Sequence, residues 1–130
     1  MNSLYRERMI EIYAEKKHFG KLKEKNYESL GKNPGCDDEI TIELKVENGK
    51  IVDARFNGKT CFVSTLAAEV LMANIIGMQV EDILDLGKGD IDKFLGTEVI
   101  STRTGCEVFP LDTLKRIHPI ESGGAKNDSD

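Results

Sequence analysis

The stretch "EITIELKV" (Glu39–Val46) alternates without a break: Ile40, Ile42, Leu44 and Val46 fall on one side of an extended chain, and Glu39, Thr41, Glu43 and Lys45 on the other. A period of two predicts a β-strand with one buried face and one wet face. "ENGK" follows, and its Asn48-Gly49 pair suits a tight hairpin turn. "IVDARF" (Ile51–Phe56) then returns as the antiparallel partner. Further on, "CFVSTLAAEVLMANIIG" is so densely apolar that the helix it predicts, from about Phe62 to Ile76 with Gly77 as its stop, has to lie in the core.

The other segments are read around this hairpin and helix. Ser3 is placed to cap a helix reaching about Lys17, with Tyr5, Met9, Ile12 and Tyr13 as its apolar stripe. A short polar helix is expected over roughly Lys21 to Leu30. "VEDILDL" (Val80–Leu86) reads as a shorter helix, "GKGDIDKFLG" as a loop holding at most a turn of helix, and "LDTLKRI" (Leu111–Ile117) as the last helix. Strands grouped together, with helices that do not alternate with them, define an α+β fold: a small antiparallel sheet, the hairpin plus a third strand, packed against helices. A chain of 130 residues with 39% hydrophobic content suits one domain over residues 1–120, and the polar "ESGGAKNDSD" reads as a disordered tail over 121–130.

Charge and topogenic signals narrow the function classes. The net charge of -5 gives no general attraction to nucleic acid or to an anionic membrane. Residues 1–32 carry eight Lys/Arg against five Asp/Glu, so the basic excess is confined to the amino-terminal part. No apolar run approaches the ~18 residues of a membrane span, and no signal-peptide pattern opens the chain, which points to the cytoplasm.

The three cysteines, Cys36, Cys61 and Cys106, are an odd number, and a reducing compartment argues against disulfides. In "NPGCDD", burying Cys36 would drag carboxylates in with it, and an extended backbone puts Cys36 and Asp38 on the same side, within reach of one cation. The alternative there is a surface thiol beside ordinary turn acids. Cys61 precedes the buried helix, with Thr60 as the expected cap, where backbone N–H groups favour a thiolate; core packing explains it equally well. Cys106 lies in "STRTGCEVFP", where Thr104 and Glu107 have capping-box spacing, Pro110 interrupts the helix, and Arg103 is close in sequence. It reads as a ligand or sulfur carrier, against a half-buried inert thiol. Separations of 25 and 45 residues match no zinc-finger spacing. Three thiolates and one carboxylate are nonetheless the number of ligands that tetrahedral zinc or a two-iron, two-sulfide cluster requires. A hydrolase built on a cysteine with His18 or His118 has no recognisable nucleophile signature here.

"NPGCDDEITIELKVENGKIVDARFNGKTC", "CFVSTLAAEVLMANIIG" and "RTGCEVFPLDTL" together resemble the scaffold proteins of iron–sulfur cluster assembly, the NifU/IscU family (NifU N-terminal-like domain), over about residues 1–118. The resemblance implies a SufE/NifU-like fold. It implies that Cys36, Asp38, Cys61 and Cys106 hold iron or zinc and a transient 2Fe-2S cluster, with Asp38 as the labile member and Cys106 as a candidate persulfide acceptor. It further implies a scaffold or carrier rather than an enzyme, a cysteine desulfurase as sulfur donor, apo iron–sulfur proteins as recipients, and neither nucleic acid nor membrane as partner; a homodimer is left open. Zn2+ would suit the same four groups as Fe2+. The alternative is a zinc-bound persulfide acceptor of the SufU kind, although the insertion of that branch between its second and third cysteines is missing. Gly105 stands where many members of the IscU branch carry His, "VISTRTG" replaces the Leu-Pro-Pro-Val-Lys signal, and Asp37 replaces a Gly.

Overall fold

In the computed structural model Asn48 and Gly49 both take positive φ, 54° and 79°, the backbone of a two-residue hairpin turn whose twist matches that of its strands. The structure describes residues 3–33, 35, 37–96 and 104–120; the tail expected over 121–130 lies outside them. The turn joins β2 (Asp38–Glu47) to β3 (Lys50–Lys59), with Glu47 opposite Lys50. Between the Lys45–Asp53 and Val46–Ile51 pairs β3 carries one extra residue, Val52. This bulge explains why Ile51 and Ala54, three residues apart, both point inward: it shifts the alternation by one and leaves Val52 outside.

β1 (Tyr27–Asn33) and β4 (His118–Pro119) complete an antiparallel sheet in the order β3-β2-β1-β4. Ile40, Ile42, Leu44, Val46, Ile51, Ala54 and Phe56 form its buried face. Against it lies α2 (Phe62–Ile75), ten of whose fourteen residues are buried, and Gly77 follows with φ 101°. α1 (Ser3–Glu15), α3 (Lys88–Leu95) and α4 (Thr104–Leu114) pack around α2, and a 3₁₀ turn spans Val80–Asp85. None of the helices among the described residues is long and apolar enough to cross a membrane.

Three expectations are corrected. The polar helix over Lys21–Leu30 does not form; residues 27–33 pair with β2 instead. The free edge of β2 supplies backbone partners, and Asn26 locks the start of the pairing by bonding both the N–H and the C=O of Val46 at 2.8 Å. The outer face of β2 is not uniformly wet, because Glu43 is buried where it accepts the Leu22 N–H at 2.7 Å and the Lys25 ammonium at 3.0 Å. The loop expected at "GKGDIDKFLG" contains the full helix α3. Asp90 accepts the Gly87 N–H at 2.8 Å, Gly96 closes the helix at φ 85°, and Ile91 and Leu95, one turn apart, both enter the core.

Gly31 of β1 passes so close to α4 that a methyl group in place of its hydrogen would overlap the Thr113 hydroxyl. Gly31→Ala is expected to lower stability by about 1–3 kcal/mol, the usual cost of overpacking. Urea unfolding checks this, and an unchanged midpoint would contradict the packing described.

Candidate metal centre

Asp38 opens β2, and the pairing of Glu39 with Lys59 ends the hairpin ladder beside it. Thr60 and Cys61 then lead directly into α2. The Cys61 N–H donates to Asp38 Oδ1 at 3.1 Å, and Asp38 is only 3% exposed. Cys61, rather than the expected Thr60, is the N-cap of α2: its backbone is extended, and its sulfur accepts from the Ser64 N–H at 3.5 Å. The Thr60 hydroxyl instead shares a 2.7 Å hydrogen bond with Thr65.

α4 begins at Thr104, where the Thr104–Glu107 capping-box spacing allows a start and seven residues before the helix read at Leu111, so that Cys106 lies in its first turn and Pro110 inside it. Proline has no N–H, and in a helix the N–H of residue 110 would bond the carbonyl of Cys106. The Ser64 hydroxyl lies at that place, 2.9 Å from the Cys106 carbonyl and able to donate to it. The same oxygen lies 2.7 Å from Asp38 Oδ2 and 3.4 Å from Cys61 Sγ. Ser64, three residues after Cys61, belongs to the segment that carries the family resemblance, but the sequence assigns it no contact. The available signal was a pair of positions: a serine three residues after one cysteine and a proline four residues after another.

One ligand atom each from Asp38, Cys61 and Cys106 lies within 4.8 Å of the other two. Around tetrahedral zinc, with bonds of about 2.0–2.3 Å, neighbouring ligand atoms sit about 3.3–3.8 Å apart, so a small contraction would let the three grip one ion. The donor set, two sulfurs and one oxygen in a largely buried pocket, suits zinc or iron. Cys36 and Arg103 lie outside the described residues. Contrary to the expectation of thiols without cross-links, Cys106 is disulfide-bonded, so ligation through its sulfur begins with reduction to the thiolate.

Asp37 and Asp38 diverge. Asp37 takes φ 56° and faces solvent, where the Lys59 ammonium, 2.7 Å away, holds its carboxyl below the usual range. Neither histidine belongs to the group: His18 is tied to Glu69 through its N–H (2.9 Å) and its ring (3.2 Å), and His118 is exposed with its ring near the Arg116 carbonyl.

Residues 4–117 match the model of the NifU-like N terminal domain, and the chain belongs to that family. It is 41% identical over 83 residues to the iron-sulfur cluster assembly scaffold protein IscU of Thermotoga maritima, a match covering 64% of this chain and 58% of that relative's length. It is 24% identical to the zinc-dependent sulfurtransferase SufU of Bacillus subtilis, over 95% of each chain. Among crystal structures, a candidate cluster assembly scaffold for the SUF system from Fervidobacterium islandicum superposes with a TM-score of 0.69 at 25% identity, covering 88% of this chain and 93% of that one. The N-terminal part of a NifU-like protein from Brucella abortus shares the fold, with a TM-score of 0.68 at 17% identity over 85% and 88% of the two chains.

Glu107, next to Cys106, is fully buried beside Lys88, whose ammonium lies 3.4 Å away. Burial first, and the neighbouring Asp92 second, push its carboxyl up from 4.5 to about 7, with Lys88 opposing. The folded protein therefore holds a proton that the unfolded chain has released, and stability falls as pH rises from about 4.5 through about 7. Glu107→Gln is expected to match the parent below that window and to exceed it above. Denaturant unfolding at a series of pH values checks this, and parallel pH profiles for parent and variant would contradict it.

Proposed function

We propose that this chain is an iron–sulfur cluster assembly scaffold, in which Cys36, Asp38, Cys61 and Cys106 together receive iron and sulfide, build a 2Fe-2S-type cluster and release it to apo proteins. The observation that carries this reading is the convergence of Asp38, Cys61 and Cys106, from three different elements, within reach of one ion. Membership of the family supports it. A cysteine desulfurase is the matching sulfur donor: the Cys106 thiolate attacks the outer sulfur of its persulfide, a new S–S bond forms, and the desulfurase thiolate leaves. Two electrons from an external thiol or one-electron carrier then reduce each transferred sulfur to sulfide. The carboxylate gives the site its lability, because oxygen is a harder ligand than thiolate and holds a sulfide-bridged iron less firmly. Residues 1–120 act as one scaffold domain, working in the cytoplasm.

A second reading is a zinc-bound persulfide acceptor. It is favoured by the near full-length match to a zinc-dependent sulfurtransferase. There, a thiolate displaced from zinc takes the sulfur and no cluster forms.

Anaerobic reconstitution of the reduced protein with Fe2+, cysteine and a desulfurase separates the two. The scaffold reading expects a visible chromophore with near-equal iron and acid-labile sulfide; a colourless zinc protein carrying persulfide supports the second. Under the first, Asp38→Ala should release its cluster more slowly to a chelator, and an unchanged rate removes Asp38 from its assigned role.

A further inference from the structure

Ser64 touches each of the three described members of the site through a different kind of atom. Its fully buried oxygen meets the carboxylate of Asp38 (2.7 Å), the main-chain carbonyl of Cys106 (2.9 Å) and the sulfur of Cys61 (3.4 Å). A hydroxyl carries one proton, and both the carboxylate and the carbonyl are acceptors. The carbonyl has lost its helical donor, because residue 110 is a proline. Two rotor positions therefore compete: in one the proton satisfies Asp38, in the other it satisfies the first turn of α4.

We propose that Ser64 is a positioning residue that restrains Asp38 when no cation is bound and passes its hydrogen bond to the Cys106 carbonyl when a cation takes the carboxylate. The hydroxyl thereby weakens metal binding and keeps the bound ion releasable. This rests on the reading of Asp38 as a ligand and adds to it a residue that opposes ligation. Its energetic basis is an exchange: a hydrogen bond to a charged acceptor is given up on metal binding and a weaker one to a neutral carbonyl is gained.

Two substitutions act on opposite ends of that exchange. Ser64→Ala abolishes it, leaving nothing to give up, so metal should bind about fivefold more tightly, the factor separating a charged from a neutral hydrogen bond. Pro110→Ala restores an N–H to the Cys106 carbonyl, so the hydroxyl gains less by turning to that carbonyl and affinity should fall, by up to a similar factor. Loss of packing alone would weaken binding in both.

The test is an anaerobic Co2+ titration of the reduced full chain, followed by the thiolate-to-cobalt absorption band in competition with a chelator. Tighter binding by Ser64→Ala, weaker binding by Pro110→Ala, and no effect of Ser64→Ala in an Asp38→Ala background support the proposal. Shifts of the same sign in the two single variants, or a Ser64→Ala effect that persists without Asp38, overturn it. Should Ser64→Ala fail to fold, Pro110→Ala alone decides, unchanged or increased affinity counting against the proposal. If the parent chain develops no thiolate band with Co2+, the metal reading itself fails and this inference falls with it.

Discussion

The pairing of β2 with β3 fixes where the chemistry can be. Asp38 and Cys61 are 23 positions apart in the chain, and they meet because the Asn48-Gly49 turn sets Glu47 against Lys50 and every later rung follows. A slip of one residue would turn Asp38 to the outer face and take Ile40, Ile42 and Leu44 out of the core with it. The ladder is tightest near the site: Gly58 takes φ 124°, and a side chain there would strike the Glu39 carbonyl. The hydrophobic burial that holds the sheet on α2 is thus the same force that delivers a carboxylate to the N-terminus of that helix.

Around this fixed edge the polar groups satisfy one another. Asp38 would be costly to bury alone, but one oxygen takes the Cys61 N–H and the other the Ser64 hydroxyl. Pro110 leaves the Cys106 carbonyl without its helical donor, so this carbonyl and Asp38 share the one Ser64 proton. The first turns of α2 and α4 are therefore joined through a single side chain, next to the sulfurs of Cys61 and Cys106. Asp37, one residue from Asp38, is turned outward by its left-handed backbone and held by Lys59, so only one of the two adjacent acids enters the pocket.

Much of the frame was readable from residue patterns because those patterns have local causes. Alternation gave β2, Asn-Gly gave the turn, and the dense apolar content of residues 62–76 gave α2. β1 was misread because its polar sequence becomes a strand only through the edge of β2 and the groove where Gly31 meets Thr113, neither of which is local. α3 was hidden by its glycines, although Ile91 and Leu95 carry a helical interval. The Thr104–Glu107 spacing allowed the early start of α4, but Pro110 left it undecided, because its lost hydrogen bond is repaired from another helix. At the site, Asp38, Cys61 and Cys106 could be named as candidates from residue chemistry. Their convergence, and the part Ser64 takes in it, required knowing which elements pack together.

The central claim, that sulfur and carboxylate oxygen share one ion, is tested most directly by X-ray absorption at the zinc K-edge of the reduced, zinc-loaded chain. The account predicts a mixed first shell, with sulfurs at about 2.3 Å and a single oxygen at about 2.0–2.2 Å. A shell of nitrogen and oxygen alone would contradict it.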